Sequence, residues 1–135
     1  MRIQLALCGV AVCLCLAPIL SAQDAVKVDP KHYTVVSEND QVRILKVHYG
    51  AHEKSIMHSH PNAVAVFLTD CKGQFTYPDG KKQALTCKAG DAIYTPAGTH
   101  LPEDTSGAGI DLILVELKGD GAKSAMKAEM KSEAK

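Results

Sequence analysis

The sequence predicts an all-β domain, and two observations carry that expectation. From residue 41 onward, short strand-like runs recur at close intervals: "QVRILKVHY", "KSIMH", "AVAVFLT", "QFTY", "QALTC", "DAIYT" and "GIDLILVELK". Turns rich in Gly, Pro, Asn and Asp separate them, and no long segment before the C-terminal tail carries a helical apolar period. Short runs bounded by turn residues indicate an all-β sandwich or barrel rather than βαβ units. A chain of 135 residues suits one domain. Its 15 basic and 15 acidic side chains leave no net field, so neither nucleic acid nor an anionic membrane is expected as a partner.

The elements follow in order. Residues 1–22 differ from the rest: Arg2 supplies positive charge, "LALCGVAVCLCLAPIL" is apolar throughout, and small Ser21 and Ala22 close the run. This is the pattern of a secretory signal peptide cleaved after Ala22, which makes the protein secreted or periplasmic, with no membrane contact after cleavage. Pro18 and the shortness of the run argue against a membrane anchor. Lipoprotein processing needs a small residue before the modified cysteine, whereas Cys8, Cys13 and Cys15 follow Leu7, Val12 and Leu14. Residues 23–40 read as an extended N-terminal arm, and residues 41–118 as the β domain. Residues 119–135 are too poor in large apolar side chains to offset the entropy of ordering, and read as a disordered charged tail. The alternative there is a short helix showing Met126 and Met130 on one face.

Within the domain, alternation in "QVRILKVHY" places Val42, Ile44 and Lys46 on one face and Arg43, Leu45, Val47 and Tyr49 on the other, the core side. Val64, Val66 and Leu68 alternate with the equally apolar Ala65 and Phe67, so this strand is expected to be central and covered on both faces. Removal of the leader takes away three of the five cysteines and leaves Cys71 and Cys87. The Pro-Asp-Gly signal lies midway between them, and a hairpin folded about Asp79 and Gly80 sets the two cysteines opposite each other. In an oxidising compartment this favours a cross-strand disulfide, with two buried thiols as the alternative.

The chain holds six histidines, and His58 and His60 stand as an H-x-H pair with Pro61 behind them. Residues i and i+2 of a strand point the same way, so the pair can present two ring nitrogens to one point. About forty residues later, "AGDAIYTPAGTHLPED" leads through a Pro96–Gly98 turn to His100. Together these segments resemble the cupin superfamily. Its first motif is a glycine, an H-x-H pair, a glutamate and a later glycine, and its second runs G-x5-P-x-G, then histidine, then asparagine. Gly50, His58, His60 and Gly73 echo the first; Gly90, Pro96, Gly98 and His100 echo the second. The resemblance spans roughly residues 40–118 and implies a single double-stranded β-helix, or jelly-roll, barrel. It also implies a divalent transition metal, one of Mn, Fe, Ni, Cu or Zn, held at the barrel mouth by His58, His60 and His100.

Three departures qualify what the resemblance implies. The family glutamate falls near apolar Val64 or Ala65, so that carboxylate ligand is missing. Gly50 stands farther from His58 than in the family, and His100 follows Gly98 by two places instead of three, a shift that a turn segment absorbs without reversing the side chain. His52, in the loop "GAHEKSIMH", is the candidate fourth ligand. Glu53 and Glu103 are alternative oxygen donors, and Asp104 takes the place of the family asparagine. His32 and His48 read as ordinary surface or strand residues, and Phe67, Phe75, Tyr77 and Tyr94 as candidate pocket aromatics.

Two functions follow. One is a metal-dependent enzyme of dioxygenase, isomerase or lyase type acting on a small polar molecule. The other is a noncatalytic module that holds a metal or small ligand, and a homodimer is compatible with both. Ser55 and Ser59 lack a nucleophile-elbow signature, which argues against a serine hydrolase.

Overall fold

The computed structural model describes residues 23–119. The expected signal peptide, with Cys8, Cys13 and Cys15, lies outside them, as does the tail from residue 120 with Met126 and Met130. Among the described residues no helix is long and apolar enough to cross a membrane.

One short helix, α1 (Ala25–Val28), and nine strands make up the fold: β1 (Tyr33–Glu38), β2 (Val42–Tyr49), β3 (His58–His60), β4 (Ala63–Phe67), β5 (Cys71–Thr76), β6 (Lys82–Cys87), β7 (Ala92–Thr95), β8 (Gly98–Asp104) and β9 (Ile110–Leu117). They form two antiparallel sheets, one ordered β1-β2-β9-β4-β7 and the other β3-β8-β5-β6. The ladders thus define two sheets rather than one closed ring of strands.

The core lies between the sheets. β2 buries the face expected of it, with Leu45, Val47 and Tyr49 inside. β9 alternates in the same sense, burying Ile110, Leu114 and, against expectation, Glu116. β4 sits inside its sheet between β9 and β7. It buries Ala63 and Phe67, but Val64 and Val66 on its outer face are only half-buried, so the expected cover on both faces is not present. Gly73 has no room for a side chain: a Cβ there would lie 2.9 Å from the backbone oxygen of Glu103 on the neighbouring strand.

Two segments differ from the sequence reading. The region read as an extended arm supplies both α1, capped by the Asp24 side chain, and β1, an edge strand that pairs with β2. The region read as a turn ahead of His100 is a strand from Gly98 onward. Its first half pairs with β3 and its second half with β5. Pro102 lacks an N–H and so reads against a strand, yet it sits in that second half opposite Phe75, where its carbonyl accepts from the Ser55 N–H.

The hairpin forms about the Pro-Asp-Gly turn, with Gly80 at φ +81° and the Tyr77 N–H donating to the Lys81 carbonyl. Cys71 and Cys87 are register partners with Cα atoms 5.0 Å apart, and they are disulfide-bonded.

Candidate metal centre

β3 and β8 bring the three expected histidines together. His58 and His100 are direct cross-strand partners, so their side chains leave the same face, and His60 lies opposite Gly98, which has no side chain to crowd it. Pro61 then ends the short β3 ladder. One nitrogen from each of His58, His60 and His100 falls within a cluster whose atoms all lie within 4.8 Å of one another. His58 is fully buried, His60 nearly so and His100 half-buried.

The neighbours of each ring fix its tautomer. The His58 Nδ1 lies 2.7 Å from the Ile56 carbonyl, which can only accept, so this nitrogen carries the proton. The His60 Nδ1 lies 2.7 Å from a Glu116 carboxylate oxygen and likewise donates. In the neutral form of each ring the remaining Nε2 presents a lone pair, and the two Nε2 atoms face each other at 2.9 Å. Two lone pairs at that distance repel unless a proton or a cation lies between them. Two nitrogens bound to one metal at about 2.0–2.1 Å would lie about 2.9–3.4 Å apart, depending on the angle between them, so the spacing is near that of ligands sharing an ion. His100 stacks on Phe75, with ring centroids 4.6 Å apart and planes within 5°.

Burial and neighbouring rings hold His58 and His100 unprotonated. Burial, then the neighbouring His60, lowers His58 to about 4. Burial, then His60 and His58, lowers His100 to about 3. Neutral imidazole is the form that ligates metal.

Glu116 is the functional residue that the sequence reading missed. It is 1% exposed, on the inward face of β9, directly across from Arg43 on β2. The Arg43 Nε donates to its second oxygen at 2.6 Å, and another guanidinium nitrogen pairs with Asp24 at 2.8 Å. Burial works against the Glu116 carboxylate, but the hydrogen bonds from His60 and Arg43 outweigh it and hold it below the ordinary range. A carboxylate behind a ligating histidine fixes the ring and raises its basicity. The alternation Ile110, Leu112, Leu114, Glu116 was the available signal: an acid standing on a core face needs buried partners.

The other expected donors lie elsewhere. His52 is exposed, at φ +57°, with its ring against Gly107, and takes no part in the cluster. Glu53 is bound to Lys31, His32 and the Gly50 N–H; the Lys31 bond foremost draws its carboxyl down to about 2. Asp104 accepts from the backbone of His52, Ser106 and Gly107, and so organises a loop. Glu103 borders the cavity but is not among the clustered donors.

His48 is on the surface as expected, 59% exposed and paired with Asp111. His32 corrects the sequence reading. It is 6% exposed, bonded through Nδ1 to Asp29 and through Nε2 to Glu53, and stacked on Tyr49. Asp29 also accepts from Ser55, whose hydroxyl lies 3.2 Å from the His58 Nδ1, so a second polar network backs the cluster.

A cavity of about 110 Å³ opens beside His60 and His100. Of the expected aromatics, Phe67 and Phe75 line it and Tyr77 and Tyr94 do not. Tyr33 and Tyr49, not anticipated, also line it, with their hydroxyls hydrogen-bonded at 2.7 Å. Burial, ahead of all other causes, holds both phenols protonated.

No protein-family model and no curated protein matches the chain. Its structure, however, is similar to solved cupin structures. A cupin domain from Bordetella pertussis Tohama I matches with a TM-score of 0.60 at 20% identity, over 64% of this chain and 92% of that one. An RmlC-like cupin family protein from Methanocaldococcus jannaschii matches at 0.51 and 13% identity, over 69% and 83%. A protein with a double-stranded β-helix domain from Klebsiella pneumoniae matches at 0.51 and 17% identity, over 66% and 77%. The ladders, the paired histidine strands and these likenesses agree that the chain has the cupin fold.

Proposed function

We propose that the protein binds one divalent transition metal through His58, His60 and His100 and presents it to a small molecule in the adjoining cavity. The observation that carries this reading is the convergence of three imidazoles, two of which turn Nδ1 to an acceptor and bring their Nε2 atoms within 2.9 Å. An all-imidazole set suits Mn, Fe, Ni, Cu or Zn, and three protein ligands leave positions for water or a substrate. Bound there, the metal supplies Lewis-acid polarisation or activation of a coordinated ligand.

The chain's own residues do the rest. Glu116 and the Ile56 carbonyl hold the two rings in the ligating tautomer. Phe75 fixes the plane of His100, and the paired hydroxyls of Tyr33 and Tyr49 offer a proton-bearing group at the cavity wall. Those hydroxyls would serve as proton donors in an enzyme and as hydrogen-bond partners for the ligand in a noncatalytic module. Dioxygenase, isomerase and lyase chemistry all remain compatible with this arrangement. The Cys71–Cys87 disulfide supports a secreted or periplasmic location.

Elemental analysis of untagged protein purified without chelator tests the metal site. We expect about one metal per chain in the wild type, retention in His48→Ala and loss in His60→Ala. His48 is the proper control because it is exposed, whereas His32 is built into a buried network. Equal metal in both variants, or none in the wild type after loading with each of the five metals, refutes the site.

A further inference from the structure

The cavity restricts what can approach the histidines. Apart from His60, His100 and the phenols, its walls are chiefly apolar, built from side chains such as Val47, Phe67, Ile110, Leu112 and Leu114. Gln74 and Thr95 add two neutral polar groups at its border; among the described residues Glu103 is the one lining side chain of full formal charge, and no Lys or Arg borders the space. Ile93, 40% exposed, is the most exposed of the lining residues. A dry apolar cavity of about 150 Å³ takes benzene, so 110 Å³ sets a slightly smaller limit.

We infer that the ligand is a compact molecule with an apolar body no larger than benzene and a single polar end directed at His60 and His100. The sequence reading expected a small polar molecule; sugars, polyols, nucleotides and dicarboxylates do not fit this space. A second hydroxyl or carboxylate lying along Val47, Leu112 and Leu114 would be stripped of water against a wall that offers no hydrogen-bonding side chain, and that cost falls directly on affinity. The inference deepens the proposed function and rests on it only for the role of the polar end. The body of the ligand is set by the cavity itself.

Three molecules with the same four-carbon chain test this: butan-1-ol, erythritol and succinate. Each is titrated into isotopically labelled protein, once metal-free and once zinc-loaded, and followed by NMR. In metal-free protein butan-1-ol should shift the methyl signals of Ile93, Ile110, Leu112 and Leu114. Erythritol and succinate should bind at least about tenfold more weakly, and 2-naphthol, which exceeds the space, should shift none of these signals. Ala65→Leu, which fills the cavity, should abolish the butan-1-ol shifts; if that variant does not fold, the wild-type series decides alone.

Erythritol or succinate binding as tightly as butan-1-ol, or butan-1-ol shifts that fall outside the cavity, overturns the inference. Butan-1-ol binding in a protein that takes up no metal leaves the ligand class standing and removes the metal reading, so the two failures are distinct.

Discussion

Replacement of Glu116 by Gln is the sharpest probe of how the site is held. The substitution keeps the size of the side chain and removes its charge. Glu116 accepts from the His60 Nδ1 at 2.7 Å and from the Arg43 Nε at 2.6 Å, almost wholly shielded from water. Gln offers one oxygen in place of two. If that oxygen turns to Arg43, the amide NH₂ faces His60 and drives the imidazole proton to Nε2, the nitrogen that should ligate.

Loss of such a partner lowers metal affinity by about 10–100-fold. The metal-free fold should lose about 1.5–3 kcal/mol, the value of hydrogen bonds to charged groups. This falls short of a broken buried pair because Arg43 keeps Asp24. Competition of zinc against a chromophoric chelator at pH 7.5 measures the first quantity, and urea melts of chelated protein the second. A zinc affinity within twofold of wild type, alongside a clear loss of stability, would show that Glu116 serves Arg43 alone and refute its role behind His60.

Two further outcomes are expected. Metal-free protein should lose stability as pH falls from about 6.5 to about 4, because the unfolded chain takes up protons on His58 near 6.5 while the folded one does so only near 4. More protons on the unfolded state means stability rises with pH, by about 3 kcal/mol for this residue across that window; urea melts that superimpose at pH 7.5 and 5 would contradict it. Cys71→Ser with Cys87→Ser should cost on the order of 3 kcal/mol through the reopened hairpin, read as a lower denaturation midpoint, and thiol titration of unfolded wild-type mature protein should find neither cysteine free.

Much of this was legible in the sequence, and the exceptions share a cause. Seven strands from Val42 onward show as alternation or short apolar runs, and the Asp79–Gly80 turn alone sets Cys71 against Cys87. The convergence of His58, His60 and His100 follows from strand geometry joined to a family-like spacing. What escaped was whatever depends on long-range partners. β1 is exposed along most of its length, its two valines included, and is a strand because β2 pairs with it. β8 carries a proline and three charged or hydroxyl side chains, so its local signal is that of a loop, and two neighbouring strands override it. His32 looks like any loop histidine until Asp29 and Glu53 close on its two nitrogens. Glu116 looks like a solvated strand end until Arg43 and His60 are found across from it.

β3 is three residues long, lies at the edge of its sheet, and among the described residues pairs with β8 and, through a single bridge at Ser59, with Asp24. So short an edge strand is held less by its backbone bonds than by what its side chains and flanks do. The Ser59 N–H reaches back to the Gln23 carbonyl, and the Ser59 hydroxyl meets that of Thr99 at 2.7 Å. A cation shared by the histidines of β3 and β8 would act as a clasp between points about forty residues apart, removing loop entropy from the unlatched chain much as a crosslink does. Amide exchange at Ser59 and His100 should then slow on metal loading far more than exchange in the β5–β6 hairpin, which its own disulfide already closes. Ligation and the completion of this edge of the fold would be one cooperative event, with the protein firmest where it is also reactive.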